Sequence, residues 1–188
     1  FYNNPEKSWS VIKEIFYDYY GKVEPNYAHR VLGWLEQNGY LKAVITQNID
    51  NLHQEGGSRN VLEFHGTYMK MECTSCGQKF NVEVVSLEQD VPSCPECGGL
   101  LKPDFIFFGE AIPEPAGSRS FSESEKTDLM LVVGTTGDVM PASMLPFKAK
   151  ENGATIIEVN VKPSAYTDSI TDVYLEGKAT EVMSRLYE

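Results

Sequence analysis

The sequence predicts an α/β fold, a doubly wound parallel sheet with a small lobe inserted into it. Three observations carry this. The apolar runs at 129–133 ("LMLVV") and 155–159 ("TIIEV") are continuous rather than alternating, as in parallel strands covered on both faces. Strand-like runs alternate with helix-like ones through most of the chain. All four cysteines fall in one stretch, "CTSCGQKFNVEVVSLEQDVPSCPEC" (73–97), set apart from those runs.

The elements follow in order. "SWSVIKEIFYDYY" (8–20) spaces Trp9, Ile12, Ile15, Phe16 and Tyr19 as one face of a helix, with Ser8 as its N-cap. "EPNYAHRVLGWLEQNGY" predicts a second helix, with Pro25 near its start and Asn38-Gly39 as its stop. His29 lies on that helix and is read as a structural hydrogen-bonding residue. "LKAVITQ" is a strand, and "FIFF" (105–108) and "DLMLVVGTTG" (128–137) are two more. "PASMLPFKAKENG" is helical, though weakened by Pro146. "ATIIEVN" (154–160), "DVYLEG" and "KATEVMSRLYE" supply two strands and a closing helix.

The cysteines form two C-x-x-C pairs, Cys73 with Cys76 and Cys94 with Cys97, and 17 residues separate the pairs. That spacing matches a four-thiolate zinc site, and no cysteine is left over. Gly77, Gly98 and Gly99 follow the pairs and let the backbone fold tightly around the sulfurs. Four thiolates leave no open position for water, so the zinc would be structural. Two disulfides or a dithiol redox pair are the alternatives. The run "FNVEVVSLEQDVP" has the alternation of a zinc-ribbon strand.

Composition narrows the functional classes. Of 188 residues, 16 are Lys or Arg and 27 are Asp or Glu, for a net charge of −11. Such a surface repels phosphate backbones, and the chain has no basic stripe that would support direct nucleic-acid binding. It would steer a lysine-rich partner only weakly, and a solvated acidic surface is the plainer reading. No apolar run approaches a membrane span and "FYNNPEKSWS" has no signal-peptide pattern, so a cytoplasmic protein with no membrane attachment is expected.

Chemistry gathers at strand ends. In doubly wound sheets, ligands sit beyond the carboxyl ends of the strands. Three such ends are polar or glycine-rich here: "TQNID", "GTTG" and "EVN". "GTTG" before a helix could offer amides and hydroxyls to a phosphate or a ribose. Separately, His65 stands in "EFHGT" before a glycine, where an imidazole has room to act as a general base or to serve a structural role.

Together, "PNYAHRVLGWLE", "TQNIDNLHQEGG", "EFHGT", the paired C-x-x-C, "KPDFIFFGEAIP", "LVVGTTGDVMPAS", "IIEVN" and "GKATEVM" resemble the sirtuin family of NAD-dependent protein deacylases, in its bacterial and archaeal form. The resemblance implies NAD and Zn as cofactors and an acylated-lysine protein or peptide as substrate. It implies a Rossmann-like NAD-binding domain built from 25–66 and 104–188, a zinc lobe at 67–103, and a helical part of the small lobe at 1–24. Gln47, Asn48, Ile49 and Asp50 would face nicotinamide and its ribose, with Asn48 and Asp50 taking part in catalysis. His65 would be the general base on the ribose hydroxyls. Gly134, Thr135 and Thr136 would contact the adenosine half, Asn160 the adenine ribose, and Lys178 and Ala179 the adenine. Ile106 and Phe108, alternating on one face of "FIFFGE", would wall the acyl-lysine tunnel, with Gly109 and Glu110 beside the peptide backbone, which would add as a strand.

The family's glycine-rich cofactor loop, with the first strand it follows, has no counterpart in this chain. A fragment of a longer protein is the expected explanation, and a degenerate relative the other. The implied activity yields free lysine, nicotinamide and O-acyl-ADP-ribose, and the chain would act as a monomer. Mono-ADP-ribosyl transfer from the same pocket remains open. So does a non-catalytic, zinc-stabilised module that binds acyl-lysine peptide.

Overall fold

The structure is a computed structural model that describes residues 1–18 and 21–187. The chain divides into two compact units, one of Phe1–Glu24, Asn48–Asn51 and His65–Ala111, the other of Pro25–Gln47, Leu52–Phe64 and Ile112–Glu188. Among the described residues no helix is long and apolar enough to cross a membrane.

The first unit opens with α1 (Pro5–Ile12), whose cap is Asn4 and not Ser8: the Asn4 side chain accepts from the Lys7 amide at 3.1 Å. Pro5 then occupies the first helical position, where its missing N–H is no loss. The helix runs on into a wider π turn, Lys13–Tyr17. That widening shifts the phase of the apolar stripe. Trp9, Ile12 and Tyr17 are therefore buried while Ile15 is 54% exposed. Tyr19 lies outside the described residues. Trp9 donates its indole N–H to the Leu101 carbonyl at 2.9 Å.

These side chains pack on a three-stranded antiparallel sheet in the order β4-β3-β5, formed by β3 (Gly66–Cys73), β4 (Lys79–Asn81) and β5 (Leu101–Phe105). Met71, Leu101 and Phe105 are buried in this core. The strand expected at 105–108 instead spans Leu101–Phe105 and pairs antiparallel with β3. Pro103 is tolerated because β5 lies at the edge of this sheet, next to the irregularity between Gly66 and Met71.

In the second unit, α2 (Tyr27–Gln37) is capped by Asn26, whose side chain accepts from the Ala28 and His29 amides. The His29 ring accepts in return from the Asn26 amide at 3.2 Å, so its role is a capping box. Asn38 and Gly39 (φ +81°) end the helix. Two parallel sheets follow. β1 (Val44–Thr46) pairs with β2 (Val61–Glu63) after the single turn α3 (Leu52–Glu55). β6 (Leu129–Val133), β7 (Thr155–Asn160) and β8 (Val173–Glu176) lie in that order. The helices α4 (Ala116–Lys126), α5 (Met144–Glu151) and α6 (Ala179–Tyr187) complete the unit. Pro146 is accommodated in the first turn of α5. The expectation of two-sided burial fits β7, where Ile156, Glu158 and Val159 are fully buried. It fails for β6, which pairs only with β7 among the described residues and leaves Leu129 47% exposed.

Candidate functional site

The first unit carries the polar row that follows β1. Asn48–Asn51 is held against β3 at two points: the Tyr68 amide donates to the Ile49 carbonyl at 3.1 Å, and the Tyr68 hydroxyl to the Asp50 carbonyl at 3.3 Å. Asn51 takes a left-handed conformation (φ +62°), which Asn tolerates better than most residues. The segment that carries Asn48, Ile49 and Asp50 is thereby fixed through its backbone. Gln47 is the last residue before them and belongs to the second unit.

His65 is half-buried just ahead of β3, and its carbonyl accepts from the Ile106 amide at 3.0 Å. Gly66 is obligatory. Its φ is +80°, and a Cβ there would stand 2.2 Å from the Asp104 carbonyl oxygen. The backbone around His65 is thus anchored to 104–106, which places the imidazole and the 106–110 segment on the same unit.

That segment is a tight turn. The Glu110 amide donates to the Phe107 carbonyl at 3.0 Å, and Gly109 supplies the positive φ (+88°) that a type II turn needs. Ile106 and Phe108 therefore do not alternate on a strand face, as expected from "FIFFGE". Ile106 is half-buried, while Phe108 sits at the turn's second position with its side chain fully exposed.

The four cysteines come together in the same unit. Their sulfurs all lie within 4.8 Å of one another, with Cys73 to Cys97 at 3.6 Å and Cys76 to Cys94 at 3.9 Å. A tetrahedron of Zn–S bonds near 2.3 Å has edges of about 3.8 Å, so the cluster fits zinc. All four are free cysteines, which removes the disulfide alternative. The amides of Cys76 and Ser75 point at the Cys73 sulfur and, the Cys76 amide first, pull its thiol down to about 6. Preformed N–H to sulfur contacts of this kind favour thiolate ligands.

The second unit carries the glycine turn after β6. The Gly134 amide donates to the Val159 carbonyl at 3.0 Å, so the ends of β6 and β7 lie side by side. Gly134 has φ +62°, and a side chain there would meet nothing within 4 Å, leaving that face open to a ligand. Thr135 turns its hydroxyl inward to accept from the Gly137 amide, while Thr136 is exposed. The Ala165 amide donates to the Thr136 carbonyl at 3.0 Å, and the loop it belongs to is tied down by Glu158. That buried carboxylate accepts from the Thr167 and Thr171 hydroxyls, each at 2.9 Å. Asn160 donates to the Thr135 carbonyl, and its own carbonyl accepts from the Gly177 amide. The open α6 start, with Lys178 exposed and Ala179 half-buried, is thereby joined to the glycine turn.

Tyr68, Lys102 and Glu158 organise these segments and were not singled out in the sequence. Tyr68 follows "EFHGT", Lys102 opens "KPDFIFFGEAIP" and Glu158 lies in "IIEVN", but residue type alone gives no signal of a holding role; only their partners mark them.

The Sir2 family model matches residues 1–141. The chain is 46% identical over 172 residues to an NAD-dependent protein deacylase of Pyrococcus furiosus, covering 89% of this chain and 68% of that relative. It is 48% identical over 171 residues to one from Thermococcus kodakarensis, covering 88% and 66%. The chain therefore spans about two thirds of the length of the curated relatives it matches. Among solved structures, a complex of Sir2 with p53 peptide and NAD+ superposes with a TM-score of 0.92 at 36% identity, covering 99% of this chain and 78% of the other. Sir2 bound to an acetylated peptide does so with a TM-score of 0.93 at 36% identity, covering 99% and 79%.

Proposed function

This chain belongs to the Sir2 family, and on that premise we propose that it is an NAD-dependent protein lysine deacylase acting on acylated lysine side chains. The observation that carries the reading is the joint anchoring of His65 and Asn48–Asn51 on one unit, each fixed through its backbone. A general base and carboxamide-reading groups need such fixed placement to act on one sugar.

In this reading NAD supplies a ribosyl carbon activated by departure of nicotinamide. Gln47, Asn48, Ile49 and Asp50 would face nicotinamide and its ribose, with Asp50 near the carboxamide. His65 takes a proton from a ribose hydroxyl. Gly134, Thr135 and Thr136 hold the adenosine half, with Asn160, Lys178 and Ala179 completing its surroundings. Ile106 and Phe108 offer apolar contact to a neutral acyl-lysine. The acyl group would pass to the ribose, one water would be consumed, and the products would be free lysine, nicotinamide and O-acyl-ADP-ribose. Cys73, Cys76, Cys94 and Cys97 hold zinc and take no part in chemistry. Thiols kept for a metal suit a reducing compartment, and we place the protein in the cytoplasm.

Incubation of the zinc-loaded protein with NAD and an acetyl-lysine peptide tests the proposal. Nicotinamide and deacetylated peptide should form in equal amounts, and His65→Ala should slow both by roughly 100-fold or more while leaving zinc content unchanged. Nicotinamide release that does not depend on acyl-peptide would overturn it, as would wild-type turnover by His65→Ala.

A further inference from the structure

We propose that Lys102 is a positioning residue for the acyl-lysine substrate, acting as the clamp that sets the 106–110 turn. The inference rests on the deacylase reading, in which this turn meets the substrate.

Lys102 lies in β5, and its side chain is only 13% exposed. A lysine so covered needs partners for its ammonium group. It has three kinds, all within or beside the turn. The ammonium stands 3.0 Å from the Glu110 carboxylate and donates to the Phe105 carbonyl at 2.7 Å. A longer contact reaches the Pro103 carbonyl at 3.5 Å. The same nitrogen sits 4.5 Å from the centre of the Phe107 ring, within the range of a cation–π contact.

Glu110 closes the other side. Its carboxylate accepts from the Phe107 amide at 2.8 Å, in addition to the backbone bond that closes the turn. The carboxylate is thus used to hold the turn, which leaves the Gly109 backbone to face a peptide. The consequence appears at Phe108. Its phenyl ring is fully exposed at the apex, an arrangement that buries none of its apolar area. A turn held from two sides presents that ring in one place before substrate arrives, so less ordering remains to oppose binding.

Steady-state kinetics on Lys102→Met, Lys102→Arg and Glu110→Gln, combined with binding of a fluorescent acyl-lysine peptide, test this. Lys102→Met should raise the peptide KM roughly tenfold while NAD KM stays within about twofold. Lys102→Arg, which keeps the charge and reaches the same acceptors, should recover most of the loss. Glu110→Gln should raise the peptide KM severalfold, and the Lys102→Met/Glu110→Gln pair should be no worse than Lys102→Met alone. A melting-temperature drop with an unchanged peptide KM in Glu110→Gln would overturn the proposal, and that variant decides the matter even if Lys102→Met does not fold. Should the wild type neither bind the peptide nor consume it, the deacylase reading fails and this one with it. A wild type that turns over normally beside unaffected variants overturns the clamp alone.

Discussion

The side-chain amide of Asn160 donates to the Thr135 main-chain carbonyl at 2.8 Å, and the Asn160 carbonyl accepts from the Gly177 amide at 2.9 Å. One residue at the end of β7 thus joins the glycine turn to the start of α6. Asn160→Ala removes the first bond and leaves the half-buried Thr135 carbonyl to solvent, at a cost of about 1 kcal/mol in stability. The turn then loses its fixed position, so NAD affinity should fall about tenfold, more than the stability change alone accounts for. Asn160→Asp, which sets an acceptor against an acceptor, should be worse than Ala on both counts. Urea unfolding and calorimetric titration with NAD measure the two effects separately.

Gly66 couples fold and site most directly. With φ at +80° and the Asp104 oxygen 2.2 Å from where a Cβ would stand, Gly66→Ala forces β3 and β5 apart next to His65. Left-handed strain alone costs about 1–2 kcal/mol, and the backbone clash adds to it. The expected result is a loss of more than about 2 kcal/mol in stability, with deacylation abolished even in molecules that remain folded. Residual turnover near wild type at a temperature where the variant is folded would contradict this coupling.

What the sequence made legible was local. Two C-x-x-C pairs specify their cluster by spacing, and Pro25 with Asn38-Gly39 marks both ends of α2, because caps and turns act within a few residues. What it hid was long-range or a matter of phase. The π turn at Lys13–Tyr17 moves Ile15 to the surface although its helical spacing is apolar. The strand expected at "FIFF" runs Leu101–Phe105 instead, with Pro103 inside it, which an edge strand tolerates. β6 has the composition of a covered strand, yet its burial depends on what lies along its free edge. For the site, "TQNID" and "GTTG" were visible as polar strand ends. The residues that hold them, Tyr68 and Glu158, were not, since a hydrogen bond across eighteen residues, as between Tyr68 and Asp50, has no sequence pattern.

Zinc should be a stability element of the first unit. The cluster's four sulfurs bridge the two ends of the 73–97 segment, and Cys73 and Cys94 are buried in its hydrophobic core. Removing the metal leaves sulfurs crowded at 3.6 and 3.9 Å with no ion to hold them, and the binding energy of the metal is lost from folding. A strong chelator, or Cys94→Ser, should release zinc and lower the melting temperature. Near-UV dichroism should change with it, because Trp9 and Tyr17 belong to the same core. Metal release measured by a colorimetric indicator, with no change in melting temperature, would refute a structural role.

Asp172 gives the fold a defined acid sensitivity. Its carboxyl is held below the usual carboxylate range, first by the hydrogen bond from the Ile156 amide at 2.8 Å and then by the Lys150 ammonium at 2.5 Å. A pKa lowered in the folded state means that the unfolded chain binds the proton more tightly, so the stabilisation is present above the unfolded value, near 3.9, and is lost as pH falls through the folded one. Asp172→Asn keeps an oxygen for the Ile156 amide but removes the charge that Lys150 meets. Urea unfolding should show wild type more stable than Asp172→Asn at pH 7. The gap should persist down to about pH 5 and narrow below the ordinary carboxylate pKa as the wild-type carboxyl becomes neutral. A gap independent of pH would mean that the side chain's shape, and not its charge, holds the 172 loop against β7.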